Sequence, residues 1–178
     1  YEGSKTTLTI PNEIDGKKVT KIGANAFDGN TSITSVEIQD GITTIDSYAF
    51  YNATALESVS IPESVTTMNE GAFANCTALS SVNLPSKLKT ISYGLFASCS
   101  NLTKIEIPDS VTTLGIRAFS GCSDATELKI SKSLTSIPNY AFSTCTSLKQ
   151  VEIPDNISTL GIFAFIDCES LEEVTIPK

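Results

Sequence analysis

Residues 111–133 read VTTLGIRAFSGCSDATELKISKS, and this stretch is one copy of a unit that fills most of the 178-residue chain. The copies share the pattern V-x-x-I-x-x-x-A-F-x-x-C-x-x-L-x-x-V-x-I-P-x-x, and all five cysteines recur at an interval of 23 residues. Seven phenylalanines keep the same interval, at Phe27, Phe50, Phe73, Phe96, Phe119, Phe142 and Phe165. A unit of this length cannot bury its apolar face alone, so the interval predicts a stack of repeats with a shared core.

The V-x-I part of each unit has the alternation of a half-buried strand, with Val36 and Ile38 pointing inward. Proline follows the pair in most copies and ends the strand, because it lacks an N–H group. Stacking in register therefore predicts a parallel sheet of eight strands. The pairs are Leu8/Ile10, Val36/Ile38, Val59/Ile61, Val82/Leu84, Ile105/Ile107, Leu128/Ile130, Val151/Ile153 and Val174/Ile176.

The V-T-T-I and A-F-x-x-C segments of each unit are expected to form the side of the coil opposite the parallel sheet. A short V-T-T-I segment is expected to be extended and to pack inward through its last residue, which is Ile45, Met68, Ile91, Leu114, Ile137 or Leu160. The A-F-x-x-C segment has apolar residues three and four apart, which favours a single turn of α- or 3-10 helix.

The spacing predicts one solenoid over residues 1–178, with an N-terminal strand 6–11 and an insertion 12–18 before the repeats. The seven repeats are 19–41, 42–64, 65–87, 88–110, 111–133, 134–156 and 157–178. The first residue is not methionine and no polar cap is visible, so we expect a piece of a longer protein whose uncapped edge invites self-association.

Composition excludes several function classes. The chain is 40% hydrophobic and 18% charged, which predicts a folded protein, and no run of about 20 apolar residues predicts insertion into a membrane. Its net charge of −8 argues against nucleic acid and anionic membranes as partners. The absence of histidine removes histidine zinc sites and histidine-assisted nucleophiles.

The carboxylates offer no convincing enzyme or metal site. Glu106 and Glu152 lie two rungs apart on a flat sheet, where no cleft would shift their acidity as a glycosidase requires. A column of turn acids could hold Ca²⁺, but Ser86 and Lys132 interrupt it. We therefore expect no catalysis, no metal and no cofactor.

The five cysteines occupy one position of the repeat, where earlier copies place Asn30 and Ala53. Adjacent rungs are close enough for a disulfide, but parallel rungs in register point their Cβ vectors side by side. Buried free thiols that act as small apolar groups are the preferred interpretation.

Two surfaces are candidates for binding. Outward positions on the C-terminal half of the strand face carry charges of both signs, which suits a polar protein surface, although such charges also keep a sheet soluble. These residues are Lys104, Glu106, Glu127, Lys129, Gln150 and Glu152.

The second surface is a flank beside the A-F segments. Stacking brings apolar side chains together with an arginine and two aromatic rings, a composition typical of protein contacts. We call this set the flank strip; its residues are Ile116, Arg117, Tyr140, Ile162, Phe163 and Ile166. The alternative is that these side chains lie partly buried beneath their own turns.

The motif L-x-x-V-x-I-P-x-x-V-x-x-I-x-x-x-A-F-x-x-C resembles the BspA-type leucine-rich repeat over essentially the whole chain. The expected fold is an α/β repeat solenoid, a right-handed leucine-rich-repeat coil with a parallel β-sheet on one face. Members of that family are secreted or surface-anchored proteins of host-associated microbes and are associated with adhesion to host proteins and other microbes. The resemblance therefore implies a non-enzymatic, extracellular protein-binding module, with a structural spacer as the alternative. It assigns no site residue, because the motif consists of core positions.

Overall fold

The computed structural model describes residues 6–176, which form a stacked parallel β-solenoid of about seven turns. This range contains sixteen short strands and no helix. The strands are β1 (Thr7–Ile10), β2 (Glu13–Ile14), β3 (Lys17–Lys18), β4 (Lys21–Ile22), β5 (Ser35–Ile38), β6 (Thr44–Ile45), β7 (Ser58–Ser60), β8 (Thr67–Met68), β9 (Thr90–Ile91), β10 (Lys104–Glu106), β11 (Thr113–Leu114), β12 (Glu127–Lys129), β13 (Ser136–Ile137), β14 (Gln150–Glu152), β15 (Thr159–Leu160) and β16 (Glu173–Thr175). Pro177, the last of the expected strand-ending prolines, lies outside the described residues.

The strand face is built from the V-x-I segments. Parallel pairing joins β1, β5 and β7, then β10 with β12, and β14 with β16. Partners are residues 23 apart in the repeats, so Val36 lies opposite Val59 and Ile105 opposite Leu128. Val36 and Ile105 are buried while Glu37 and Glu106 between the apolar positions are exposed, as the alternation predicts.

The sheet is less continuous than predicted. One of the eight expected strands, the fourth at Val82 and Leu84, is wrong: this copy contributes only an isolated bridge between Ser58 and Ser81. Val82 and Leu84 are half-buried, so this rung packs less tightly than its neighbours. A second interruption separates β12 from β14, which no ladder of hydrogen bonds joins.

The V-T-T-I segments form a second parallel ladder, which joins β4, β6 and β8, then β9 with β11, and β13 with β15. Its last residues point inward and are buried, with one exception. Leu160 is exposed, because it lies on the last described turn and no further rung covers it.

The predicted helical or 3-10 turns are absent from residues 6–176; hydrogen-bonded turns replace them. Positive φ angles at Tyr48 and Asn52 interrupt any helical run, and the same two positions recur in each repeat. Between these two positions, successive backbone N–H groups donate alternately to a carbonyl of the same turn and to a carbonyl of the next repeat. The Ala49 N–H donates to Asp46 within the turn, whereas the Phe50 N–H donates to Ala72 of the next repeat at 2.8 Å. A helix would satisfy these donors internally and leave none to join the repeats.

The phenylalanine and cysteine columns fill the interior beneath these turns. Successive phenylalanine rings are stacked, with centroids 4.9 to 5.9 Å apart. All five cysteines are free thiols, as predicted; four are buried and Cys168 is half-buried. Each thiol donates to a phenylalanine carbonyl of the preceding repeat, as Cys99 does to Phe73 at 3.2 Å. The columns therefore join the repeats into one apolar core.

The insertion 12–18 folds as a small antiparallel hairpin, in which Glu13 pairs with Lys18 and Ile14 with Lys17. Asp15 and Gly16 form its tip with φ angles of 50° and 74°. Two consecutive positive φ angles match the tight turn that Asp-Gly pairs favour in hairpins.

Candidate functional site

The charges of β10 and β12 pair with one another across the strand face. The Lys129 ammonium lies 2.8 Å from the Glu106 carboxylate, and Lys104 lies 3.3 Å from the same group and 3.8 Å from Glu127. The hydrogen bond from Lys129, together with Lys104, lowers the pKa of Glu106. All four side chains remain exposed, so the network is a solvated surface of alternating charge.

Gln150 and Glu152 lie apart from that network, on β14 beyond the break in the sheet. A cleft of about 240 Å³ lies over β12, β14 and β16, lined by Glu127, Leu128, Gln150 and Glu152 among others. Glu152 makes no ion pair with residues 6–176. Four of the six predicted strand-face residues thus form a paired network, while Gln150 and Glu152 line a cleft that Glu127 also borders.

Five of the six flank-strip residues are exposed, and Tyr140 is half-buried. Ile162 and Phe163 are 63% and 52% exposed, and Ile116 is 43% exposed although two repeats follow it. Exposure of this column is therefore not confined to the last described turn. The alternative of partial burial beneath their own turns holds for Tyr140 but not for Ile162 and Phe163, which are mostly exposed.

Ring contacts hold the centre of the flank strip together. The Arg117 guanidinium lies 4.9 Å from the centroid of the Tyr140 ring, and the Tyr140 and Phe163 rings are 5.4 Å apart. Arg117, Tyr140 and Phe163 occupy one repeat position, each with φ near +58°. The regular interval of the turns therefore arranges them as a row of cation, ring and ring.

The structure adds a cluster of tyrosines that was outside the predicted sites. Tyr48, Tyr51 and Tyr93 lie on the turn side of the N-terminal and middle repeats, and Tyr93 is 48% exposed. The Tyr48 hydroxyl donates to the Glu70 carboxylate at 2.5 Å, which raises the pKa of Tyr48. The 23-residue alignment places Tyr48 in the same column as Tyr140 of the flank strip, and this shared column could have indicated that Tyr48 lies on the turn side.

The turn acids serve the turns themselves. Glu63 accepts hydrogen bonds from the hydroxyl and the backbone N–H of Ser86, and these bonds lower the pKa of Glu63. Asp109 accepts from the backbone N–H of Lys132. Within residues 6–176 no three acidic or cysteine side chains are grouped closely enough to hold a metal ion. The same range holds no helix of the length and apolarity that crossing a membrane requires.

Two solved structures match this fold closely. A leucine-rich repeat protein from T. pallidum matches with a TM-score of 0.88 and 24% identity, over 97% of this chain and 80% of that protein. A leucine-rich repeat protein from Bacteroides ovatus ATCC 8483 also has a TM-score of 0.88, with 30% identity over 96% of this chain. The match spans only 45% of the Bacteroides protein.

A third structure is less similar: a leucine rich cell surface protein from Faecalibacterium prausnitzii A2-165, with a TM-score of 0.51 and 21% identity, over 99% of this chain and 83% of that protein. No curated protein matches the sequence. The sequence model of the BspA type leucine rich repeat region matches six copies over residues 1–125 and 117–178. The repeat register, the stacked core and this match together show that the chain belongs to the BspA-type leucine-rich repeat family.

Proposed function

We propose that this chain is a non-enzymatic protein-binding or adhesion module of a cell-surface protein, and that the flank strip is its main contact surface. The observation that carries the proposal is the exposure of Ile162 and Phe163 next to the Arg117–Tyr140 pair. Exposed apolar side chains around an arginine and aromatic rings have the composition of interaction hot spots.

The strand face is the second part of the proposed surface. Opposite charges at Lys104, Glu106, Glu127 and Lys129 are already paired, so a partner gains little affinity from them but must match their pattern. Glu152, which makes no ion pair with residues 6–176, can pair with a partner's cation. We propose a host extracellular protein or a microbial surface protein as the partner.

An extracellular or cell-surface location is part of the same proposal. It is supported by membership of the family and by the cell surface protein of Faecalibacterium prausnitzii with the same fold. The 23-residue repeats are proposed to act as one continuous unit with the borders predicted from sequence.

The alternative function is a structural spacer that holds another binding domain away from the cell. The pairing of the strand-face charges among themselves favours it, since a spacer needs only a soluble surface. The two functions differ in what a surface substitution does: a spacer tolerates it, whereas a binding module loses affinity.

The proposal is tested by biolayer interferometry, which measures binding of the chain to purified extracellular host proteins and to whole bacterial cells. The double variant Ile162→Ser/Phe163→Ser should bind a positive partner at least about tenfold more weakly, since hot-spot residues of this kind contribute more than about 1.4 kcal/mol. Ile14→Ser is the matched control, because Ile14 is equally exposed but lies in the N-terminal hairpin. Equal binding by both variants would contradict the flank strip as the contact surface, and effects of repeat number alone would support the spacer.

A further inference from the structure

A column of outward side chains on the turn side is interrupted in two consecutive repeats. The column has a positive φ angle in each repeat and consists of Asn25, Tyr48, Gly71, Gly94, Arg117, Tyr140 and Phe163. The Tyr48 ring leans over Gly71, so the open space lies above Gly94, between that ring and Arg117. This space forms a groove of about 310 Å³.

The floor of the groove is small and the walls are aromatic. Ala74, Gly94 and Ala97 line the floor, and Tyr48, whose ring covers Gly71, stands around it with Tyr51 and Tyr93. A volume near 300 Å³ is at the small end of ligand sites, so the groove suits one or two rings rather than a long chain.

The aromatic wall is fixed before any ligand arrives. The Tyr48 ring lies on Gly71 so closely that a Cβ there would come within 2.5 Å of a ring carbon. Its hydroxyl is held by Glu70, and the Tyr51 ring meets the Tyr48 ring edge-on at 5.5 Å. A rigid ring needs little ordering upon binding, which favours recognition of a flat apolar surface.

The polar side of the groove has unused donors. Arg117 is the single arginine of the chain, and its guanidinium is stacked on Tyr140 without an ion pair or hydrogen bond to residues 6–176. A planar guanidinium with free donors matches a carboxylate in a two-pronged geometry. The hydroxyl of Ser98 lies on the same rim, whereas the Asn75 amide already donates to Asn52 at 2.9 Å.

We propose that the groove above Gly94 and Ala97 binds a sugar residue that carries a carboxylate. The C–H face of the sugar ring would lie against the tyrosine wall, its carboxylate would meet Arg117, and one of its hydroxyls would meet Ser98. A neutral apolar ligand would leave the donors of Arg117 unused, and an extended peptide would exceed the space. This site shares Arg117 with the flank strip but includes neither Ile162 nor Phe163.

The test uses methyl glycosides of N-acetylneuraminic acid and glucuronic acid as probes, with methyl galactoside as the neutral comparison. Binding is measured by chemical-shift changes in two-dimensional NMR of the folded chain. The acidic probes should bind saturably and shift signals of residues around Tyr93 and Gly94. Binding of the neutral sugar that is as tight as that of the acidic sugars, or absence of saturable binding of the acidic ones, would overturn the proposal.

Gly94→Asn is the blocking variant. Asn25 adopts the same positive φ in this column, and a Cβ at Gly94 has Ala97 as its nearest neighbour at 3.8 Å, so the substitution preserves the backbone while filling the groove. Gly29→Asn is the matched control, since it lies in the other positive-φ column and nothing approaches its Cβ within 4 Å.

Gly94→Asn should weaken binding of the acidic probes at least tenfold, and Gly29→Asn should leave it unchanged. Arg117→Gln should reduce the preference for acidic over neutral sugar. Equal effects of the two asparagine variants would overturn the site. The Ile162→Ser/Phe163→Ser variant should bind the sugars normally, so failure of the protein-binding proposal and failure of this one are distinguishable.

Discussion

Gly115 occupies a point where the backbones of two repeats nearly touch. A Cβ at Gly115 would lie 2.4 Å from the carbonyl carbon of Ser92 and 2.5 Å from the backbone nitrogen of Tyr93. Gly23 holds the equivalent position of the first repeat, where nothing lies within 4 Å. The same residue type is therefore required at one rung and optional at another.

Gly115→Ala should lower the free energy of unfolding by about 1–3 kcal/mol, because the backbone must shift to admit the methyl group. Gly23→Ala should be neutral or slightly stabilising, since alanine restricts the unfolded chain. Urea denaturation of both variants measures the difference. Equal free energies of unfolding for Gly115→Ala and Gly23→Ala would contradict the close approach of the two backbones at Gly115.

Asp46 is a carboxylate held by an ion pair and by hydrogen bonds. The Lys21 ammonium lies 2.6 Å away and the Asn69 amide donates to Asp46 at 2.8 Å. These contacts lower the pKa of Asp46 from an ordinary value of 3.8 to about 2. The folded state thus binds fewer protons than the unfolded state between these values, and stability falls as pH falls through that window.

Asp46→Asn should therefore make the chain less sensitive to acid. Asparagine retains an oxygen that can accept from Asn69 and from the Ser47 N–H, so the substitution removes mainly the charge. Thermal unfolding at pH 7 and pH 3 should show a larger loss of Tm for the parent chain than for the variant. An identical loss in both would contradict the pairing with Lys21.

The buried cysteine thiols join neighbouring turns and are not reactive groups of the folded chain. Cys76, Cys99, Cys122 and Cys145 are buried, and burial raises their pKa, to about 12 for Cys76 and Cys145. Their S–H groups donate to phenylalanine carbonyls. The thiolate is the reactive form, so these groups are inert while the turns are folded.

Thiol labelling with a disulfide reagent should modify only Cys168 in the native chain, because it is half-buried on the last described turn. All five cysteines should react in denaturant, with equal yield whether or not reductant was used beforehand. Cys168→Ser should abolish the fast reaction. Rapid labelling of several thiols in that variant would contradict the buried column.

The sequence predicted the strands and the interior better than the turns. Alternation and proline are local signals, so the placement of Val36 and Ile105 followed directly. The apolar spacing around Phe50 favoured a helical turn. Glycine would have indicated a positive φ at the position of Tyr48, but only two repeats have glycine there, so the sequence did not predict this backbone conformation. The Asp15–Gly16 pair was an available signal for the hairpin that was not used.

The sequence predicted which residues share a candidate surface, but not how their side chains are oriented there. Stacking at a fixed interval identifies which residues share a column, and it grouped Arg117, Tyr140 and Phe163 correctly as neighbours. It does not give the direction of a long side chain. The ion pairs of Glu106 with two lysines and the lean of Tyr48 over Gly71 depend on side-chain conformations that spacing cannot specify.

At the scale of the whole molecule, the core is a set of columns that run through the stacked turns. Phe96 is fully buried between the rings of Phe73 and Phe119, and the same environment recurs in neighbouring repeats. Each repeat therefore contacts mainly the two beside it, and stability is the sum of repeat and neighbour interactions. Any whole repeat should then be removable without disturbing the others.

Deletion of residues 88–110 tests this central claim most directly. Removing these 23 residues places Val111 where Leu88 stood and keeps all columns aligned, whereas removing 88–107 shifts every later residue by three positions. The first variant should retain the parent's circular-dichroism spectrum and unfold cooperatively in urea, with a smaller m-value in proportion to its length. The second should lose cooperative unfolding. If both deletions fold, or neither does, stacking of columns at a 23-residue interval is not what holds this protein together.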